Sequence, residues 1–280
     1  MRNKFCFQVD NKEIIKIYES NDNFKIEYSE VNSDICVIYF SSHGIYYPND
    51  ENTFISKIVN KDYYEWYKTR LRNARKHIFI RDVKKQWYIS GINKNIDDQW
   101  KLVDFLKKET SGYKVITLGA SAGGYASILF GNLIEAEYII AFNPQVELET
   151  ELNNTKEEEN ALLHRNKESK TRCFFDINKF ISGNIPVYYI LSNKSGWDLQ
   201  QCKCLVSKKN LNIVEVDSDV HGVPVPKDIL PLFIEKLIDN RHLYLNKVNT
   251  YLSLYASVSY SAAARYIFRK LKRKIRSCFS

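Results

Sequence analysis

The stretch Val115-Ile116-Thr117-Leu118-Gly119-Ala120-Ser121-Ala122-Gly123-Gly124-Tyr125 decides how this chain is read. It opens as an apolar, β-branched run, which suits a strand buried in a parallel sheet. It closes in Gly119-x-Ser121-x-Gly123, and the small-residue segment 126–133 that follows can form a helix. Strand, tight turn and helix are the context in which G-x-S-x-G becomes a nucleophile elbow. A serine on so sharp a turn has a strained backbone, and glycines two residues to either side let strand and helix pass closely. Its hydroxyl is then exposed at the carboxyl edge of the sheet. The Ala122 N–H opens the helix and can donate to a developing oxyanion. A glycine-rich turn in an ordinary α/β domain has the same bare pattern. The flanking strand and helix, with partners found downstream, make Ser121 the candidate nucleophile.

Upstream, residues 35–40 (Ile-Cys-Val-Ile-Tyr-Phe) read as a buried strand running into Ser41-Ser42-His43-Gly44. The loop after this strand is where a second oxyanion donor is expected, so the backbone N–H groups of Ser42 and His43 join that of Ala122 as candidates. His43 precedes the nucleophile and reads as a loop residue rather than the catalytic base. Segments 5–9, 13–18 and 24–28 cluster apolar residues around Asn-Asp-Asn turn signals and read as two or three antiparallel edge strands. Residues 54–75 read as a helix ending in Arg70, Arg72, Arg75 and Lys76, a solvated basic run. Residues 77–80 are the next strand. Residues 97–109 form an amphipathic helix with Trp100, Val103 and Leu106 on one side, broken by Ser111-Gly112.

Downstream, residues 136–142 are a strand ending in Phe142-Asn143-Pro144-Gln145, beside the elbow. Residues 147–182 turn Glu-rich and polar and hold no core strand. They read as a helical lid insertion over the site or as a solvent-exposed excursion. Pro186 opens a strand at 187–191, a polar loop reaches Asp198, and a helix follows at 199–209. The last strand, 213–216, delivers Asp217-Ser218-Asp219-Val220-His221-Gly222, and 227–239 is a helix. Strands alternating with helices imply an α/β fold, a mostly parallel sheet with helices on both faces.

Ser121, Asp198 and His221 each follow a strand, in the chain order Ser…Asp…His. His221 can act as general base toward Ser121 and then as general acid, with Asp198 orienting the imidazole. Asp198 also reads as a helix N-cap. Asp217 and Asp219 are rival acids, but they lie too close to His221 in sequence to reach its far side easily.

These residues carry a resemblance. The run Gly119-Ala120-Ser121-Ala122-Gly123-Gly124-Tyr125, the Phe142-Asn143-Pro144-Gln145 strand end, Ile80-Arg81-Asp82 with Trp87-Tyr88, and the late Asp198 and His221 resemble α/β-hydrolase-fold proteins of bacterial capsule and surface-polysaccharide loci. That group includes capsular polysaccharide O-acetyltransferases, and the likeness spans roughly residues 35–235. Elbow and chain order are common to all α/β hydrolases; the Gly-Gly-Tyr and Asn-Pro-Gln details are narrower. The loop at Gly44 departs from the HGGG of lipases. The resemblance implies an α/β-hydrolase fold and acetyl transfer from acetyl-CoA to a glycan hydroxyl through acetyl-Ser121, with no bound cofactor and no metal. The acceptor would be a polysaccharide or oligosaccharide. A carbohydrate esterase with the same triad, or a non-catalytic glycan-locus protein, are the alternatives. No separate CoA motif is visible.

The 280 residues fit one α/β domain with an insertion, expected at 1–240, and a tail at 241–280. Six scattered cysteines read as free thiols, and Cys202-x-Cys204 lacks the second half of a zinc site. The start lacks the apolar run of a signal peptide, and no stretch reaches the roughly 18 apolar residues of a membrane span. The net charge of +8 is uneven: residues 241–280 hold nine Lys/Arg and no Asp/Glu, leaving 32 basic against 33 acidic residues elsewhere. Seven of those nine fall between Arg265 and Arg276, among apolar residues at helical spacing (Leu243, Leu245, Val248, Tyr251, Leu252, Tyr255, Tyr266, Ile267, Leu271). A basic amphipathic helix of this kind reads as a contact to an anionic membrane surface or to capsule machinery. The protein would then be cytoplasmic and peripheral to the inner membrane. A helix packed on the domain with a solvated basic tip, or a disordered tail, are the plainer readings. Nucleic acid is not expected, since the rest of the chain is near neutral and has no recognition motif.

Overall fold

A computed structural model describes residues 9–206, 209–239, 247–248 and 251–278, with the side chains of 247, 248, 251, 270 and 272–278 excepted. The strand expected at 5–9 (Val9 apart) and tail positions Leu243 and Leu245 lie outside the described residues. Among the described residues eight strands build one sheet: β1 (Phe24–Tyr28), β2 (Ile35–Phe40), β3 (Lys76–Ile80), β4 (Lys114–Ala120), β5 (Tyr138–Phe142), β6 (Val187–Ser192), β7 (Leu211–Val216) and the short β8 (Lys247–Val248). Their order is β1-β3-β2-β4-β5-β6-β7-β8. Only β1 runs antiparallel, against β3; the remaining pairings are parallel. All parallel strands therefore end at one edge, and the loops leaving that edge build the site.

The two-residue period of the strands divides the core. Along β2, Cys36, Ile38 and Phe40 pack into one layer, with α3 (Gln99–Thr110) and α4 (Ala122–Leu133). Val37 and Tyr39 enter the opposite layer, with α8 (Leu230–Ile238). Leu254, Tyr255 and Val258 of α9 (Tyr251–Val258) and Ala262 and Ala263 of α10 (Tyr260–Cys278) are buried in that second layer. The tail is thus continuous with the packing of the domain through Ala263.

Two sequence expectations need correction. Residues 13–18 are not a strand but the middle of helix α1 (Lys12–Ser20). Ile14, Ile17 and Tyr18 recur at helical spacing and pack on Ile45, Tyr46, Phe54, Ile58 and Val83, while Asn11 caps the helix by accepting the Glu13 N–H at 2.8 Å. Residues 54–75 are helical only at their start, as the end of α2 (Glu51–Phe54) and a π-helical turn at Ile55–Val59. Asp62 (φ 43°) and Trp66 (φ 69°) then take left-handed backbone, which no right-handed helix accommodates. Trp66 turns inward instead, donating from its indole to the Phe40 carbonyl at 3.2 Å.

The excursion at 147–182 is helical, as expected, with α5 (Glu149–Asn154), α6 (Ala161–Arg165) and two 3₁₀ turns, Lys170–Phe175 and Ile177–Phe180. It is not merely solvated: Leu163, Phe174, Phe175 and Ile177 are buried in the first core layer.

The elbow depends on a close backbone crossing. A Cβ on Gly123 would lie 2.4 Å from the Phe40 carbonyl oxygen. In an ordinary helix interior Gly→Ala stabilises by up to about 1 kcal/mol. Here the sign reverses, and Gly123→Ala is expected to cost about 1–3 kcal/mol by overpacking. Urea unfolding of the two proteins measures the difference; a neutral or stabilising result would contradict the crossing.

Candidate active site

Ser121 stands between β4 and α4 with φ 55° and ψ −122°, a conformation sparsely populated by non-glycine residues. Its N–H is tied to the Phe142 carbonyl at 2.9 Å. From this turn its Oγ reaches His221 Nε2 at 2.9 Å, and His221 Nδ1 reaches Asp198 Oδ1 at 2.7 Å. The three residues expected to act together are therefore in hydrogen-bonded series, and geometry assigns the Nδ1–H tautomer facing the carboxylate. Asp198 is 1% exposed, whereas the His221 side chain is 43% exposed, opening toward the cleft. Asp217 instead pairs with Lys194 at 2.7 Å, and Asp219 is exposed.

Asp198 is not the cap of its helix. That helix, α7 (Gly196–Lys203), begins earlier than expected, and the Ser195 Oγ accepts the Asp198 N–H at 3.4 Å. Asp198 sits in the first turn, so its carboxylate stays available to His221. Its Oδ2 is buried with no hydrogen-bond partner among the described residues.

The expected oxyanion donors divide. The N–H of Ala122 is the first of α4 and has no intrahelical acceptor by position. Ser42 corrects the expectation: its N–H and Oγ both donate to the Glu65 carboxylate, at 2.7 and 2.9 Å, so it cannot face an oxyanion. His43 N–H is then the remaining candidate of that loop. The His43 ring packs edge-on against Trp87 at 4.4 Å between centroids. Its Nε2 is buried without a hydrogen-bond partner among the described residues, and desolvation lowers its pKa to about 3, so the ring is neutral.

Three further residues shape the site. Gln145 donates from Nε2 to Ser121 Oγ at 3.1 Å, while its Oε1 accepts from Trp87 Nε1 at 3.4 Å. Asn143, fully buried with φ 42°, donates from Nδ2 to Ser192 Oγ (2.8 Å) and to the carbonyls of Val220 (3.2 Å) and Gly222 (3.0 Å). Its Oδ1 accepts the Ser192 N–H at 2.7 Å. Asn143 thereby fastens the two residues flanking His221 to the end of β6, from which the Asp198 loop departs. Asp82 accepts four backbone N–H groups, from Lys84, Lys85, Gln86 and Tyr88, at 2.7–3.0 Å. That arrangement aims Lys85 and Trp87 into the cleft. Sequence reading singled out Asn143, Gln145, Asp82 and Trp87 only as details of a resemblance. Their roles depend on contacts across tens of residues that spacing does not encode.

The cleft encloses about 510 Å³ and is lined by Ser121, His221, Gln145, Trp87, Trp197 and Lys85, among others. Glu151, Thr155, Glu159 and Asn160 of the excursion close one side. Burial raises the Glu151 carboxyl to about 7, helped by the charge of Glu147, and burial lowers Lys85 to about 7.

Asp198→Asn should lower kcat by about 10⁴-fold through the wrong imidazole tautomer, while Asp217→Asn leaves it within a few-fold. Steady-state kinetics on any turned-over acyl ester compares them; equal, small losses would remove Asp198 from the series. Glu151 gives a pH signature. Its folded pKa, near 7, exceeds the unfolded value, 4.5. As pH rises between these values, the unfolded chain releases the proton first and folding loses stability. Glu151→Gln removes that loss, so the variant should gain about 1 kcal/mol relative to the parent between pH 4.5 and 7 and stay level above, allowing for solvent screening of a partly exposed group. Urea unfolding across pH measures this; parallel curves would show that Glu151 titrates normally.

No protein-family model matches the chain, and no curated protein sequence matches it. Solved structures do. A mutant of the capsule O-acetyltransferase of Neisseria meningitidis serogroup A, in complex with CoA, aligns over 78% of this chain and 93% of its own, at 14% identity and TM-score 0.51. A protein of unknown function from Staphylococcus aureus aligns over 77% and 93%, at 13% identity and TM-score 0.51. The same Neisseria enzyme in its other form aligns over 79% and 93%, at 12% identity and TM-score 0.50. Taken with the strand order and the loops that carry Ser121, Asp198 and His221, this likeness shows that the chain has an α/β-hydrolase fold.

Proposed function

We propose that this protein is a serine acyltransferase acting on glycan hydroxyls, an O-acetyltransferase of a bacterial capsular or surface polysaccharide with acetyl-CoA as donor. The observation that carries the reading is the Ser121–His221–Asp198 series, at 2.9 and 2.7 Å, opening into the cleft. Trp197, half-buried in its lining, offers ring surface on which the apolar face of a sugar can pack. The fold likeness to a capsule O-acetyltransferase solved with CoA supports the donor and acceptor classes.

In this mechanism Ser121 Oγ attacks the thioester carbonyl while His221 Nε2 takes the hydroxyl proton. The new C–O bond places negative charge on the former carbonyl oxygen, which the Ala122 and His43 N–H groups receive. Collapse breaks the C–S bond, and the departing sulfur takes the proton back from His221. A sugar hydroxyl then attacks acetyl-Ser121, giving its proton to His221. The second collapse releases the acetylated sugar and returns that proton to Ser121 Oγ. Asp198 holds Nδ1–H and stabilises the imidazolium in both halves. Gln145 Nε2 fixes the Ser121 hydroxyl before attack. Transfer requires that water be kept from acetyl-Ser121, and Glu151, Thr155, Glu159 and Asn160 are the residues placed to do so.

The test is incubation with acetyl-CoA and a panel of capsular polymers, following free thiol and polymer acetyl groups by NMR. Thiol release matched by polymer acetylation is expected, and Ser121→Ala should remove both by about 10⁴ to 10⁶-fold. A Ser121→Ala protein keeping more than about a tenth of the activity would sink the nucleophile, since knockouts of this residue type leave far less. Acetate release from an acetylated polymer, without acetylation from acetyl-CoA, would instead make it an esterase.

A further inference from the structure

The outer face of α10 carries large apolar side chains with nothing among the described residues packed on them. Tyr260 is 90% exposed, Phe268 68%, Leu271 54% and Ile267 45%. With exposed Ala264 these positions share one arc of about 100° on the helix, while Ala262 and Ala263 lie on the opposite side, in the core. The orientation is fixed. Tyr266 stacks on Tyr255 at 4.7 Å, Tyr255 donates its hydroxyl proton to Asp228 Oδ1 at 2.9 Å, and Arg269 pairs with Asp228 Oδ2 at 2.7 Å. The apolar arc therefore cannot roll inward without breaking these contacts.

Charge selects the occupant. Residues 265–276 hold seven Lys/Arg, and the whole helix has no Asp or Glu. A second copy of the same face would set two such helices against each other, like charge on like charge. Among the described residues no helix is long and apolar enough to cross a membrane, so the helix would lie on a bilayer rather than span it. An apolar groove of about 370 Å³, lined by Val220, Val223, Pro224, Pro226, Tyr255 and Tyr266, runs between these helices and the segment after His221. It begins one residue from the base of the triad.

We propose that the outer face of α10 docks this protein on an anionic phospholipid bilayer, with Ile267, Phe268 and Leu271 entering the interface and the Lys/Arg of 265–276 other than Arg269, which stays on Asp228, meeting headgroup phosphates. A protein docked there is held at the surface where a glycan still attached to a membrane lipid would be presented.

The test is co-sedimentation of the full chain with vesicles of phosphatidylglycerol in phosphatidylcholine, and of phosphatidylcholine alone. Two variants accompany it: Ile267→Ser/Phe268→Ser/Leu271→Ser, and Lys270→Gln/Lys272→Gln/Arg273→Gln/Lys274→Gln, with circular dichroism to show that each stays folded. Binding should require phosphatidylglycerol, weaken with added salt, and fall about tenfold or more in each variant. Equal binding to both vesicle types, or two folded variants that bind like the parent, would overturn the proposal. So would two other results. One is a dimer in light scattering that the serine variant dissolves while vesicles go unbound. The other is a single-stranded oligonucleotide held more tightly than vesicles, with only the glutamine variant affected.

Discussion

The site hangs on one strained residue. Ser121 is a non-glycine held at φ 55°, in backbone that costs of order 1–3 kcal/mol. That strain persists because three crossings leave no alternative path. Gly119 lies where a Cβ would meet the Gly123 carbonyl oxygen at 2.0 Å, Gly123 faces the Phe40 carbonyl, and the Ser121 N–H is bonded to the Phe142 carbonyl. The strands on either side of β4 thus supply the backbone that holds the turn. Strand order, not the motif alone, turns a glycine-rich stretch into a turn that aims a serine hydroxyl at His221.

A second constraint governs the partners. Asp198 and His221 arrive on separate segments, and the His221 side chain is nearly half exposed. A loop histidine left to solvent would sample many orientations, and each misplacement costs rate. Asn143 removes that freedom. From the strand beside the elbow it spends its whole carboxamide on Ser192, Val220 and Gly222. Being fully buried, it has no water to exchange these bonds with, so leaving any one unmade carries the full desolvation penalty. The elbow, the acid loop and the base loop are therefore registered to one another through a single side chain.

How much of this was legible in the sequence follows from the range of each interaction. The elbow, its strand and helix, and the chain order of Ser121, Asp198 and His221 are local signals or simple ordering, and the structure brings the three together. The segment 13–18 misleads because Ile14-Ile15-Lys16-Ile17 is β-branched and resembles a strand; what decides is the core that accepts Ile14, Ile17 and Tyr18 on one helical face. The helix expected past residue 60 fails at Asp62 and Trp66, where long-range anchoring of an indole on Phe40 outweighs local propensity. Ser42 fails as an oxyanion donor because Glu65, 23 residues away, claims its N–H. No spacing rule links those two positions. Of the readings of the tail, the helix packed on the domain is seen as far as Ala263.

The titratable groups around the cleft lean toward their neutral forms. Burial holds His43 uncharged, raises Glu151 to about 7, lowers Lys85 to about 7, and pushes the Glu65 carboxyl upward. The direction is common because the cause is common: burial, and the loss of water that comes with it, is the leading cause for each of these groups. A site that resists charge amplifies whatever charge the reaction creates. An oxyanion beside Ser121 and an imidazolium at His221 would form with little screening between them and their partners, so two backbone N–H groups and one buried carboxylate gain more there than in water. Asp198, almost fully buried in the first turn of α7, faces that ring through Oδ1 at 2.7 Å.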